Sequence, residues 1–295
     1  CYAVNITRLA AISHAIMPGM NSPSISSPAA DLYYECSGHG ADVLLLHGWA
    51  SSGRMWTSLA DAIGDVARCW SVDLPGFGRS SLPHHIRPDL NAHLAWIVAF
   101  CEQHQIQPKV VIGHSMGGLL ALKLAHARPD LAQSLVLMCP VVTGRFGLSA
   151  NDVFTSQFWM MISARTRKVW SISTSDRLAP VFSAPFYVDK ALRPRYVHDF
   201  QATSWDAAVA ALESIAQDTM RPHLAEITQP ALVVVGTRDF TVPPAEGRLA
   251  AEAMPNARLV EFERAHHQPL DEEPDRFIAL VREFIVTERD RTRVP

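Results

Sequence analysis

The chain has 295 residues, of which 48% are hydrophobic and 19% charged, enough to bury a large core in a globular protein. Its formal net charge of -3 is small and negative, which argues against a nucleic-acid or membrane partner for the molecule as a whole. Five cysteines (Cys1, Cys36, Cys69, Cys101 and Cys139) form no CxxC pair, and two of them stand in apolar runs, so reduced thiols in a cytoplasmic protein are expected rather than a disulfide framework.

Residues 1–30 are poorly patterned, and the apolar stretch at 10–17 is too short for a transmembrane helix and lacks the clean core of a secretory signal. Beyond it, short apolar runs predict strands at 42–46, 67–72, 109–112, 134–138, 231–235 and 258–262. The runs are continuous, as in strands covered on both faces. Helical patterns predict helices at 90–103, 116–127, 244–253 and 274–286. This alternation implies an α/β fold with a mostly parallel sheet flanked by helices. Between 141 and 227 the rhythm stops and aromatic and methionine residues such as Phe154, Phe158, Trp159 and Met160 appear. That segment is expected to be a helical lid over the carboxyl edge of the sheet, where open α/β sheets bind ligands. The expected organisation is one core at 31–140 and 228–286, the lid at 141–227, an extension at 1–30 and a charged, disordered tail at 287–295.

A serine hydroxyl becomes a useful nucleophile when a base takes its proton and the backbone presents its oxygen. In Gly113-His114-Ser115-Met116-Gly117-Gly118, a predicted strand precedes Ser115 and a predicted helix follows it, so Ser115 stands at the turn. Small residues at 113 and 117 relieve crowding there, and a helix N-terminus favours negative charge. Asp239 follows the run at 231–235, where a carboxylate can orient a histidine; the same position also suits an ordinary turn or cap.

Taken in order, His47-Gly48-Trp49, Asp73-Leu74-Pro75-Gly76-Phe77-Gly78-Arg79-Ser80, the Ser115 turn, Gly236-Thr237-Arg238-Asp239 and His267 resemble the stations of the α/β-hydrolase family over about 31–286. The resemblance implies the α/β-hydrolase fold, Ser115 as nucleophile and Asp239 as the acid of a triad. It also implies His267 as base, because Glu272-Glu273-Pro274 stands at the family's interval after it; His266 replaces a usually small residue and is expected to be a partly exposed neighbour. The oxyanion donors implied are the backbone N–H groups of Met116 and Trp49. Serine at 115 disfavours the aspartate-nucleophile members, the haloalkane dehalogenases and epoxide hydrolases.

No cofactor or metal is expected. The stretch Gly76-Phe77-Gly78-Arg79-Ser80-Ser81 lacks the third glycine of a dinucleotide fingerprint, and His84-His85 and His266-His267 lack zinc-site spacing. The expected substrate is a small-molecule ester, with Trp49, Phe158 and Trp159 as expected pocket residues. From Arg145 to Arg195 there are eight basic against three acidic residues. With His47-Gly48-Trp49 and His267-Gln268-Pro269, which are similar to stations of the pimeloyl-carrier-protein methyl ester esterases, this raises an acidic acyl carrier protein as an alternative partner. The leading expectation is a carboxylic-ester hydrolase working through an acyl-enzyme. The alternatives are a C–C hydrolase of vinylogous diketones or a cofactor-free perhydrolase, and a non-catalytic binding protein on the same fold.

Overall fold

The computed structural model describes residues 32–83, 86–145, 167–184, 187 and 189–291. Seven strands form one sheet: β1 (Tyr34–Gly38), β2 (Ala41–Leu46), β3 (Ala67–Val72), β4 (Val110–His114), β5 (Leu135–Met138), β6 (Ala231–Gly236) and β7 (Ala257–Phe262). Their order is β1-β3-β2-β4-β5-β6-β7. β1 is antiparallel to β3, and the other pairings are parallel.

The side-chain period of two splits each central strand between two cores. Leu44, Leu46, Val111, Leu135, Leu137, Val233 and Val235 enter one, and Val43, Leu45, Val110, Ile112, Val136, Val234 and Leu232 enter the other. Helices α2 (Leu90–Gln103) and α3 (Met116–Ala127) cover the first face, with Trp96, Phe100, Leu120 and Leu124. Helix α1 (Thr57–Ile63) and the C-terminal helix cover the second with Leu59, Ile63, Phe277 and Val281. Burial on both faces is why the central strands read as unbroken apolar runs. β1 escapes that signature: Cys36 and Ser37 are exposed on an edge strand, and such a strand needs no apolar run.

Between β5 and β6 lie a helical stretch at 167–173 and helices α4 (Ala179–Phe182), α5 (Arg193–Ala202) and α6 (Trp205–Gln217), followed by a 3₁₀ turn at Arg221–Glu226. Ser204 caps α6 by accepting from the Ala207 N–H at 3.1 Å, and Ala207, Ala211 and Ile215 join the core beneath α2 and α3. The segment rests on loops at the carboxyl ends of the strands. Trp49 Nε1 donates to the Ala208 carbonyl at 2.9 Å, Ser52 Oγ to Asp199 Oδ1 at 2.8 Å, and the Ser204 N–H to the Gly76 carbonyl at 2.8 Å. Gly76 has φ +81°, and a Cβ there would collide with that of Ala207, so glycine permits both the turn and the approach.

Helix α7 (Pro244–Ala253) follows β6, and its buried Glu246 accepts from the N–H groups of Val142 and Thr143 at 2.9 and 2.6 Å, fixing the chain as it leaves β5. After β7 come the short α8 (Pro269–Glu272) and α9 (Pro274–Arg291). The expected disordered tail from 287 is corrected in part: α9 runs on to Arg291, and the buried Glu288 continues past Val286 the packed face that Phe284 and Ile285 begin. Among the described residues no helix is long and apolar enough to cross a membrane.

Candidate active site

Ser115 joins β4 to α3 at φ 54° and ψ -112°, a conformation that costs a non-glycine residue energy and must be held by its surroundings. The Ser115 N–H donates to the Met138 carbonyl at 3.0 Å, and its own carbonyl accepts from the N–H groups of Leu119 and Val141, each at 3.2 Å. A Cβ at 113 would strike the Gly117 carbonyl and one at 117 the Leu46 carbonyl, so the flanking glycines are steric requirements. The Ser115 side chain makes no capping bond to α3, which leaves its hydroxyl for other partners. The Met116 N–H, first in the helix, has no intrahelical acceptor.

His267 lies on the loop after β7 and donates from Nδ1 to Asp239 Oδ2 at 2.6 Å. The other oxygen of Asp239 accepts from the N–H groups of Thr241 and Val242 at 2.8 and 2.9 Å, so its carboxylate is oriented on both sides. Ser115, Asp239 and His267 are 7%, 8% and 8% exposed, buried but reachable. The His267 ring lies 4.6 Å from that of His114, next to the serine, tilted by 54°, and His114 Nε2–H donates to the His267 carbonyl at 2.9 Å. Burial, with a further contribution from His267, holds the His114 pKa well below the ordinary histidine value, so His114 serves as a neutral prop.

Sequence reasoning used Glu272 only as a marker of spacing; the fold makes it a support. Its Oε2 accepts from the His266 N–H at 2.8 Å and from His266 Nδ1 at 2.9 Å, and its Oε1 accepts from the Gln268 N–H at 3.0 Å. One carboxylate thus brackets His267 on both sides. Beside it, Asp271 accepts from Tyr196 Oη at 2.6 Å and from Arg195 Nη1 at 3.1 Å, tying α5 to the histidine loop.

The loop after β2 lies over the serine. A Cβ on Gly48 would sit 2.8 Å from His114 Nδ1 and 3.3 Å from the Ser115 Cβ, so this glycine allows close approach. His47 shapes the loop as a neutral imidazole: Nδ1–H donates to the Gly48 carbonyl at 2.7 Å and Nε2 accepts from the Leu74 N–H at 2.9 Å. Burial lowers its pKa against the opposing pull of Asp73. Asp73 accepts from the N–H groups of Gly53 and Arg79 at 2.6 and 2.8 Å and from Arg79 Nε at 2.8 Å. The Trp49 ring points to the inserted helices, 6.1 Å from Trp170. The other two expected pocket residues, Phe158 and Trp159, lie outside the described residues.

Cys139, at φ 46°, offers a sulfur beside Asp239 and His267, the three ligating atoms lying within 4.8 Å of one another. Burial, then the Asp239 charge, pushes its thiol pKa well above the ordinary value. His267 and Asp239 share a proton across 2.6 Å, with the Cys139 thiol, kept protonated, beside them.

The pimeloyl-[acyl-carrier protein] methyl ester esterase of Aeromonas salmonicida is 29% identical over 252 residues, covering 84% of this chain and 96% of that protein. A hydrolase from Pseudomonas aeruginosa superposes with a TM-score of 0.72 at 22% identity, over 87% of this chain and 94% of the other. An esterase from Thermogutta terrifontis does so with 0.70 at 23% identity, over 88% and 94%. A family model for the alpha/beta hydrolase fold matches residues 43–274, most of the chain, and the chain belongs to that family.

Proposed function

We propose that the protein is a serine hydrolase that cleaves carboxylic esters through an acyl-enzyme. The observation that carries this reading is the 2.6 Å Nδ1 to Oδ2 bond between His267 and Asp239, beside a serine held at φ 54° in a glycine-flanked turn. With Nδ1 committed to Asp239, the free Nε2 of His267 is the base. Ser115 Oγ attacks the ester carbonyl as its proton passes to Nε2, and the carbonyl electrons move onto oxygen. The N–H groups of Met116 and Trp49 receive that oxyanion, a contribution of several kcal/mol in such sites. The imidazolium, stabilised by Asp239, protonates the departing alkoxide. Water, deprotonated by the same nitrogen, then attacks the acyl-enzyme and releases the acid.

The segment 141–227 is the lid in this reading. Its docking on the loops after β2, β3 and β7 supports that role, since substrate must pass between it and the sheet edge. Trp49 is proposed as a pocket residue, and Phe158 and Trp159 carry the same assignment from the sequence alone. The buried cysteines Cys69, Cys101 and Cys139, all unpaired, suit a reducing cytoplasm.

A narrower substrate, the methyl ester of an acyl chain on a carrier protein, is favoured by the relative's activity and by exposed Arg145, Lys168, Arg177, Lys190 and Arg193 on the segment. Two of the basic residues counted there are engaged elsewhere: Arg195 is mostly buried against Asp271, and Arg167 pairs with Asp206 at 2.6 Å. Carrier steering therefore rests on fewer charges than the sequence suggests.

Hydrolysis of short-chain p-nitrophenyl esters that disappears in Ser115→Ala, with unchanged circular dichroism, is the expected result. A wild type that is silent across an acyl-length series and unlabelled by a serine-directed phosphonate overturns the reading. Methyl esters on acyl carrier protein, compared with the same free methyl esters, test the narrower substrate.

A further inference from the structure

We infer that His126, His223 and Glu226 form a binding site for a divalent transition-metal ion of the zinc type, which clips the far end of α3 to the 3₁₀ turn at Arg221–Glu226. One ligand atom from each residue lies within 4.8 Å of the other two. His126 Nε2 stands 2.9 Å from Glu226 Oε2, and His223 Nδ1 stands 3.4 Å from Glu226 Oε1. Two ligands bonded at about 2.0–2.1 Å to a tetrahedral ion are separated by roughly 3.3 Å, and both histidine-to-carboxylate distances lie within a few tenths of an ångström of that spacing. Two imidazoles and one carboxylate are a donor set that zinc takes, with water completing the shell.

Three further observations point to a ligand. Nδ1 of His223 is buried yet makes no hydrogen bond, although a carboxylate oxygen lies beside it. The two rings sit 4.5 Å apart at 41°, so both histidines turn toward one acid. His126 occupies the last turn of α3, whose negative dipole end favours a cation. All three side chains keep partial exposure, 30%, 42% and 57%, which leaves room for coordinated water.

The site lies eleven residues beyond Ser115 along α3, about 16 Å at the helical rise, too far to act on a bound ester. Its place in the fold assigns it a structural task instead. The turn Arg221–Glu226 returns the chain from the inserted helices to β6, and α3 begins at the nucleophile. An ion bound to both adds a cross-link between residues about a hundred positions apart in sequence, and it stabilises the folded state by mass action.

The test uses the full chain without a polyhistidine tag, stripped with chelator and titrated with zinc chloride by calorimetry and by thermal melting. The expected result is one saturable site in the micromolar range or tighter, with a rise in Tm. His126→Gln and His223→Gln each weaken binding by about tenfold or more and lose the Tm rise. Neither changes ester hydrolysis without added metal. Absence of saturable binding overturns the assignment, and so does unchanged affinity in both variants. Loss of hydrolysis at one equivalent of zinc that persists in the variants overturns it too, because the ion is then held by Cys139, Asp239 and His267.

Discussion

Glu272→Gln isolates how far the geometry of His267 depends on a residue that never touches substrate. The wild-type carboxylate accepts two bonds from His266 through Oε2 and one from the Gln268 N–H through Oε1. An amide has one acceptor oxygen, so whichever side it serves, its NH₂ faces an N–H donor on the other. If the oxygen keeps the His266 side, the Gln268 N–H loses its partner; if it keeps Gln268, two donors are orphaned. At roughly 1.5 to 3 kcal/mol for each bond to a charged acceptor, the smaller loss is about 2 kcal/mol. Some of it appears as lower stability and the rest as freedom of the loop that carries His267. A shift of about 1 Å in a reacting group costs on the order of a hundredfold in rate, so kcat is expected to fall by about tenfold to a hundredfold with KM little changed. The assay pairs p-nitrophenyl ester kinetics with proton NMR of the far-downfield His267 Nδ1–H, which should broaden or move. His266→Ala, which keeps both backbone bonds, should lose much less. A lower Tm with unchanged kcat and an unchanged downfield proton would refute the reasoning and leave Glu272 a stability residue only.

Asp239→Asn keeps the shape but presents an amide that favours the wrong tautomer of His267, and kcat is expected to fall by about ten-thousandfold with a folded protein. Arg195→Met removes the partner of Asp271, a mostly buried carboxylate; the variant should lose about 3 kcal/mol or more in urea unfolding, and Arg195→Met with Asp271→Leu should recover part of it. Burial lowers the pKa of His93 from 6.5 to about 4, with its ring nitrogens facing the Asp89 and Pro75 carbonyls. The unfolded chain therefore binds the proton more readily than the folded one between pH 6.5 and 4. The corresponding stability, about 3 kcal/mol, is full above pH 6.5 and drains away as pH falls toward 4. Urea midpoints at pH 7.5 and pH 5 should separate less in His93→Gln than in wild type; equal separation would show that other groups set the acid limit.

Much of the fold is legible because the central strands are buried on both faces. Helices α2, α3 and α7 span the residues that the periodicity predicts, and β3 does the same. β1 is not legible, since an edge strand with exposed Cys36 and Ser37 carries no apolar run. The site is legible where chemistry imposes local spacing, as in the glycines that flank Ser115 and would otherwise strike neighbouring carbonyls. It is not legible where a partner comes from far along the chain. The bond from His114 to the His267 carbonyl spans 153 positions, and that from His126 to Glu226 spans 100. No period encodes such pairs; strand order creates them. His266 shows the intermediate case. Its doubling with His267 leaves two candidates in sequence, and the fold separates them, His267 toward Asp239 and His266 toward Glu272.

The supports of the site differ in kind from the contacts of the inserted helices. Asp239 is held by two backbone N–H groups, His267 by a carboxylate that grips the backbone on either side, and Ser115 by a turn with no room for a Cβ at 113 or 117. Backbone donors do not change rotamer, so these groups are set before substrate arrives, as electrostatic catalysis requires. The inserted segment is fastened by a mixture of contacts: the Ser204 N–H bonds the Gly76 carbonyl, Trp49 bonds the Ala208 carbonyl, Ala207, Ala211 and Ile215 pack into the core, and side-chain pairs add to these. The pair of Arg87 and Glu213 is largely solvent-exposed, and such a pair contributes about 0 to 1 kcal/mol, while Arg167 and Asp206 pair within the segment itself. The pair of Ser52 with Asp199 and the cluster of Arg195 and Tyr196 on Asp271 are buried and cost more to break. Both involve α5, and Asp271 adjoins Glu272 in α8. Lifting α5 would break both, whereas the exposed pair of Arg87 and Glu213 opens at low cost. A movement that lifted α5 would pull, through Asp271 and the adjacent Glu272, on the loop that carries His267, the base of the proposed mechanism.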